Sequence, residues 1–193
     1  MQYNKIDLKQ YLKQYKQREP SYDEIQDFKN HLANLQKVDA NESEEHQKNK
    51  FRDFLREAFN YECNTKGRID LAIYNYYDEI EVIIEFKSLK NKQEFPKDSN
   101  SLQCKSFYET ILYYLRESKT NNNIKHIVLA TINKLFIIDA KEYEVFKNNK
   151  ELLRAYKNCD KNEGNDTSTN KFYDEARKII ESMTQTFQYV YVE

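Results

Sequence analysis

The 193-residue sequence has few cysteines, two glycines, no long hydrophobic run and no excess of either charge, and each shortage argues against a class of protein. Its three cysteines, Cys63, Cys104 and Cys159, stand far apart, with no CxxC pair and no histidine at zinc-site spacing. That argues against a structural zinc and against a disulfide framework, and makes a reducing cytoplasm the plain expectation. His31, His46 and His126 form no HxxxH or HNH grouping. With 31 Lys and Arg against 32 Asp and Glu, the field of the whole chain gives no general attraction for nucleic acid, so any basic surface must be local. No run approaches the roughly 18 apolar residues of a membrane span, and the start MQYNKIDLKQYLKQYKQ has no apolar core of a signal peptide. A soluble chain with no membrane partner is expected. There is no internal repeat and no low-complexity segment.

What is present is aromatic. Sixteen Tyr and eleven Phe supply a core despite the high charged fraction, and the length fits one compact domain with a small appended helical unit. Residues 6–17 carry Ile6, Leu8, Tyr11, Leu12 and Tyr15 at helical spacing until Pro20 interrupts. Ser21 followed by Glu24 reads as a capping box opening a second helix through Ile25, Phe28, Leu32 and Leu35. A third helix carries Phe51, Phe54, Leu55, Ala58 and Phe59. Extended backward in steps of three and four, its stripe turns Glu44 inward and leaves Glu45 with Arg52 and Arg56 toward solvent. Two strand-like runs, 68–76 and 80–88, flank a turn at Tyr77, Asp78 and Glu79 and predict a hairpin. A helix over 102–117, strands over 124–131 and 134–139, a loop over 159–169, a helix over 170–183 and a terminal strand TFQYVYV follow. The expected fold is α/β, a mixed central sheet flanked by helices, with an N-terminal helical segment over 1–40 packed on a main domain over 41–193.

In the run EVIIEFK, alternation puts Glu81, Ile83, Glu85 and Lys87 on one face. Asp70, in KGRIDLAI, lies opposite Ile69 and Leu71, and pairing the two strands brings it beside Glu85. Hard divalent cations such as Mg²⁺ seek carboxylate and carbonyl oxygens, which Asp70, Glu85 and the carbonyl of Phe86 supply, with Glu44 at the rim. A lysine beside such an ion orients water and offsets charge building on a phosphoryl group. Lys87 has that place.

These residues resemble the PD-(D/E)XK nuclease superfamily, with Asp70 as its aspartate and Glu85-Phe86-Lys87 as its ExK; Ile69 stands where the pattern has proline. The stretches SEEHQKNKFRDFL, NTKGRIDLAI, VIIEFKS, ETILYYLRE, IKHIVLATINKLFIIDA and TSTNKFYDEARKII are similar to the N-terminal cleavage domain of type IIG restriction-modification enzymes. The resemblance implies a restriction-endonuclease-like fold and Mg²⁺-dependent cleavage of double-stranded DNA, with Mn²⁺ as substitute. It also implies methyltransferase and target-recognition modules, either in a longer polypeptide or on a separate subunit. The chain has no NPPY-like motif and no glycine-rich loop for S-adenosylmethionine, which is not expected to bind here.

Lys66, Arg68, Lys90, Lys92, Lys97 and Lys105 bracket the site as candidate phosphate contacts. Tyr113 and Glu109 lie one turn apart on the helix after the ExK strand, where the resemblance implies a residue that touches substrate, although a tyrosine packed with Leu112 and Leu115 fits the same spacing. Asn41 as N-cap with Glu44 three residues on also reads as a capping box, and Glu45 rivals Glu44 as the helical site residue. A different class of function is open to the same fold, that of a catalytically idle DNA-docking or protein-interaction module.

Overall fold

A computed structural model describes residues 1–161 and 165–193. Its seven strands are β1 (Gln2–Lys5), β2 (Glu62–Lys66), β3 (Ile69–Tyr74), β4 (Ile80–Phe86), β5 (His126–Ala130), β6 (Leu135–Asp139) and β7 (Thr186–Val192). They form one mixed sheet in the order β1-β7-β6-β5-β4-β3-β2. Pairs β1/β7 and β4/β5 are parallel and the rest antiparallel. The helices are α1 (Leu8–Leu12), α2 (Tyr22–Leu35), α3 (Glu44–Phe59), α4 (Lys105–Glu117), α5 (Glu144–Lys147), α6 (Lys150–Lys161) and α7 (Asp166–Ser182). None of the described helices is long and apolar enough to cross a membrane.

Two packed layers cover the sheet. On one face Leu35, Phe51 and Leu55 of α2 and α3 bury Leu71, Ile73, Ile84 and Phe86. On the other, α4 to α7 cover Ala72, Ile83, Ile127 and Leu129 with Phe107, Ile111, Phe146 and Phe172. Helix α4 makes the crossover between the parallel strands β4 and β5, and every residue from Ser106 to Leu115 is buried. A helix buried all round is the inner member of a three-layer stack, where no face is left to solvent.

The hairpin expected from alternation is β3 and β4. Its turn is closed by Asn75, whose Oδ1 accepts from Tyr77 N and Glu79 N at 2.9 and 3.0 Å, with Asp78 left-handed at φ 63°. A second hairpin, unread in the sequence, joins β2 to β3 through Gly67 and Arg68. Lys66 pairs with Ile69, so the loop has two residues, and Gly67 takes φ 58° at the first of them.

The Ser21–Glu24 capping box forms as expected, with Glu24 N on Ser21 Oγ at 3.2 Å and Ser21 N on Glu24 Oε2 at 2.8 Å. The alternative box at Asn41 does not form. Asp39 holds the Asn41 amide in a turn at 2.8 Å, Ser43 caps α3 by accepting from His46 N at 3.2 Å, and Glu44 becomes the first helical residue. Residues 1–40 also differ from the helical segment expected, since Gln2–Lys5 adds an edge strand to the sheet. The expected loop over 159–169 is shorter: α6 continues to Lys161 and α7 starts at Asp166, and residues 162–164 lie outside the described residues.

Candidate active site at the ends of β3 and β4

The last backbone pair of the β3/β4 ladder toward this end is Leu71 with Ile84, so continuing the register sets Asp70 opposite Glu85. Residues directly opposite share a face. Beyond that pair the aspartate itself replaces the backbone acceptor, and Phe86 N–H donates to Asp70 Oδ2 at 3.0 Å. A strand residue's N–H and C=O point to the same neighbour, so the Phe86 carbonyl opens on the Asp70 side. Lys48 of α3 reaches the other oxygen, Asp70 Oδ1, at 3.3 Å. Burial raises the pKa of Asp70 above the usual carboxylate range, opposed by the Phe86 amide and by Lys48 and Lys87. Its side chain keeps 22% of its surface, more than Glu85, Lys87 or Glu109.

Glu85 is almost wholly enclosed, its side chain 2% exposed. Oε1 pairs with Lys87 Nζ, and Oε2 is buried without a hydrogen-bond partner. Burial, then the charges of Glu109 and Asp70, push its pKa well above the ordinary value. Lys87 continues the β4/β5 ladder by donating its N–H to Ala130 O at 2.9 Å. Its side chain is 8% exposed, and the ammonium sits between Glu85 and Glu109, with Glu109 Oε2 at 3.0 Å and Glu94 Oε2 at 3.9 Å. Burial alone lowers the lysine pKa, but the Glu85 and Glu109 carboxylates more than offset it, so the group is held charged.

Glu85 and Lys87 share the Ile83 face of β4, which packs on α4. They do not face the helix that carries Glu44. The reason is the alternation itself: Phe86, between them, takes the α3 side against Phe51, with ring centroids 5.5 Å apart. Asp70, at the mouth of its strand, is reached from the α3 side by Lys48. Glu44 does point inward, but to the main chain: Oε2 accepts from Ser88 N at 2.9 Å, and the buried Gln47 accepts from Leu89 N at 3.2 Å. The N-terminal turn of α3 thus clamps the chain just after Lys87. Glu45 is exposed and pairs with Lys48 at 2.8 Å, which connects it to Asp70 only through that lysine.

Lys48 and Glu94 complete the cluster without having been singled out in the sequence, and Glu109, singled out with Tyr113, joins it as a partner of Lys87. Glu109 is the one charged residue in the run FYETILYYL, a second signal beside its place one turn before Tyr113. Tyr113 is buried a turn later, and burial together with Glu85 and Glu109 pushes its phenol pKa up. Among the expected phosphate contacts, Lys66 is bound to Glu117 at 3.1 Å, Lys90 Nζ donates to Asn41 O at 2.8 Å, and Lys105 pairs with Glu94 at 2.6 Å. Arg68 is exposed on the β2/β3 hairpin.

Among the described residues, no group of three or more His, Cys, Asp or Glu side chains is arranged to hold a metal ion. A cation at this point would draw on two carboxylates and one main-chain carbonyl. The chemistry fits: the donors are all oxygen, three acids (Asp70, Glu85, Glu109) outnumber Lys48 and Lys87, and Glu85 Oε2 is a buried oxygen without a partner.

Fold and site together define a mixed α/β domain with a buried carboxylate–lysine cluster at the carboxyl end of a central strand. Over residues 6–193 the chain matches the family described as Domain of unknown function (DUF7149), and it belongs to that family. No curated protein and no solved structure gives a significant match.

Proposed function

We propose that the chain is a divalent-metal-dependent DNA endonuclease domain of the PD-(D/E)XK type, working in the cytoplasm as the cleavage module of a type IIG-like restriction-modification system. The observation that carries the reading is the juxtaposition of Asp70 and Glu85 across β3 and β4 with Lys87 on the Glu85 face. Asp70, Glu85 and the Phe86 carbonyl would hold Mg²⁺ or Mn²⁺. Such an ion supplies Lewis-acid stabilisation of the charge that gathers on a phosphoryl group.

The chain's own residues do the rest. Lys87, kept protonated between two carboxylates, serves as a hydrogen-bond donor and fixed positive charge beside the phosphate, orienting the attacking water without taking its proton. Glu109 holds that ammonium in place. Glu44 and Gln47 fix the chain after Lys87, so the lysine cannot drift. Methyltransferase and recognition modules would deliver double-stranded DNA to the site by raising its local concentration.

The test is nicking of supercoiled plasmid at low salt with Mn²⁺ or Mg²⁺. Wild type is expected to nick slowly without sequence preference, and Asp70→Ala and Lys87→Ala to lose nicking; equal activity in all three would refute the assignment. One observation favours the docking reading instead: each site cation already has an internal acidic partner. Calorimetric titration with Mn²⁺ separates the two, because a docking module would give the same absence of heat in wild type and Asp70→Ala.

A further inference from the structure

A cleft of about 720 Å³ begins where the site ends. Ser88 and Leu89, directly after Lys87, form one wall, and Thr131 and Asn133, directly after β5, form another. It therefore lies at the carboxyl ends of the parallel pair β4/β5, the place where open α/β sheets bind ligands. Three lysines line it, Lys92, Lys97 and Lys134, and no carboxylate does. The contrast with the cleft between α2 and α3 is sharp: there Asp39, Glu42, Asp53 and Glu57 mingle with two lysines.

Two of the three lysines, Lys92 and Lys97, are among the phosphate contacts expected from the sequence, and the structure separates them from the rest of that set. Lys66 and Lys105 are tied to carboxylates and Lys90 to a main-chain oxygen. Lys92 and Lys97 are exposed and have no ion-pair partner among the described residues. Lys134 has Glu193 at 3.5 Å. Its rim is stiff, since Thr131 N donates to Lys134 O at 2.9 Å and Lys134 N donates to Thr131 Oγ1 at 3.0 Å.

We infer that this cleft seats the sugar-phosphate backbone of a nucleic-acid strand running away from the Asp70–Glu85–Lys87 site, with Lys92, Lys97 and Lys134 on its phosphates. The inference rests on the nuclease reading for its direction. A single free phosphate does not account for three cations spread over two walls, whereas successive phosphodiesters, one charge each, do. Backbone contacts of this kind position a strand without reading its sequence, which suits a cleavage module whose specificity lies elsewhere.

The experiment is fluorescence anisotropy of a labelled 20-base-pair duplex in EDTA, over a range of salt, for the whole chain. Lys92→Glu/Lys97→Glu is compared with a charge-matched control, Lys157→Glu/Lys161→Glu, on exposed positions of α6. Neutralised phosphates set the salt slope at about 0.9 each, so the cleft variant is expected to bind on the order of tenfold more weakly, with a slope smaller by about two. The control is expected to bind as wild type. Equal weakening in both variants, an unchanged slope in the cleft variant, or no duplex binding by wild type would overturn the inference, as would binding of adenosine monophosphate in preference to duplex. Because no divalent ion is present, the result is independent of cleavage: cleft-dependent binding in a chain that never nicks would sink the nuclease and leave the cleft.

Discussion

Replacing Glu85 by glutamine should make the protein more stable at neutral pH while removing its proposed activity. The side chain is enclosed, and one oxygen has no partner. Its charge is opposed by burial and by the neighbouring charges of Glu109 and Asp70. Glutamine has the same shape and no charge, and Lys87 keeps Glu109 at 3.0 Å as its counter-ion. Removing a surplus buried charge from a cluster that stays paired resembles the replacement of a buried ionic group by a neutral one, worth about 1–4 kcal/mol. The lost Glu85–Lys87 pair offsets part of that, so a net gain of about 1–2 kcal/mol is expected. For a chain of this size it corresponds to a rise in Tm of roughly 2–8 °C.

The pH dependence is the sharper test. Glu85 has a raised pKa in the folded state, so the native protein binds the more protons between the unfolded value, about 4.3, and the folded one. The contribution of Glu85 to stability is then fully present below about pH 4.3 and is lost as pH rises through the folded pKa. Glutamine does not titrate, so the two proteins should match near pH 4, and the advantage of Glu85→Gln should grow as pH rises toward 8. Differential scanning calorimetry in EDTA from pH 4 to 8 measures this. A lower Tm for the variant at pH 7, or a difference independent of pH, would refute the claim that the Glu85 charge is destabilising.

Two further substitutions probe the frame around the site. Lys87→Ala leaves Glu85 and Glu109 without their shared cation, and urea unfolding at pH 7 should show a loss of about 3–5 kcal/mol, the opposite sign to Glu85→Gln; a loss under 1 kcal/mol would mean the ion cluster is not buried in solution. Gly67→Val places a β-branched residue at φ 58°, where an added Cβ meets nothing within 4 Å, so the cost is the backbone term alone, about 1–2 kcal/mol; a neutral result would show that the β2/β3 turn relaxes.

The central hairpin was legible because EVIIEFK and IDLAI alternate, and alternation is a local property of the chain. Strands β1 and β2 were not. QYNK and ECNTK are short, polar edge segments with one buried apolar residue between them, Cys63, and an edge strand is held by ladder bonds to a neighbour that its own composition does not announce. The inward turn of Glu44 was readable from the stripe of α3, but its partner, the Ser88 amide 44 residues away, is a tertiary fact. Glu109 shows the limit most clearly. Helical periodicity identifies one buried face, whereas α4 is buried on every side, so no position on it reads as exposed or enclosed until the layer packed over it is known.

That same enclosure separates a site from an ordinary ion pair. An exposed Glu–Lys pair on a strand contributes little and demands nothing of its surroundings. Here Lys87 is drawn between acids from two different elements, β4 and α4, while Asp70 answers a third, α3, through Lys48. A packed apolar set at these positions would hold the two helices to the sheet as well or better. What such a set could not do is keep a protonated amine, a partnerless carboxylate oxygen and a half-open aspartate at the carboxyl ends of strands that continue into a lysine-lined cleft. Ionisable groups forced off their ordinary pKa by burial and by one another are where catalytic sites concentrate. The stability that Glu85 is expected to cost would therefore itself be an argument for function, and the sign of the Glu85→Gln experiment decides whether that argument holds.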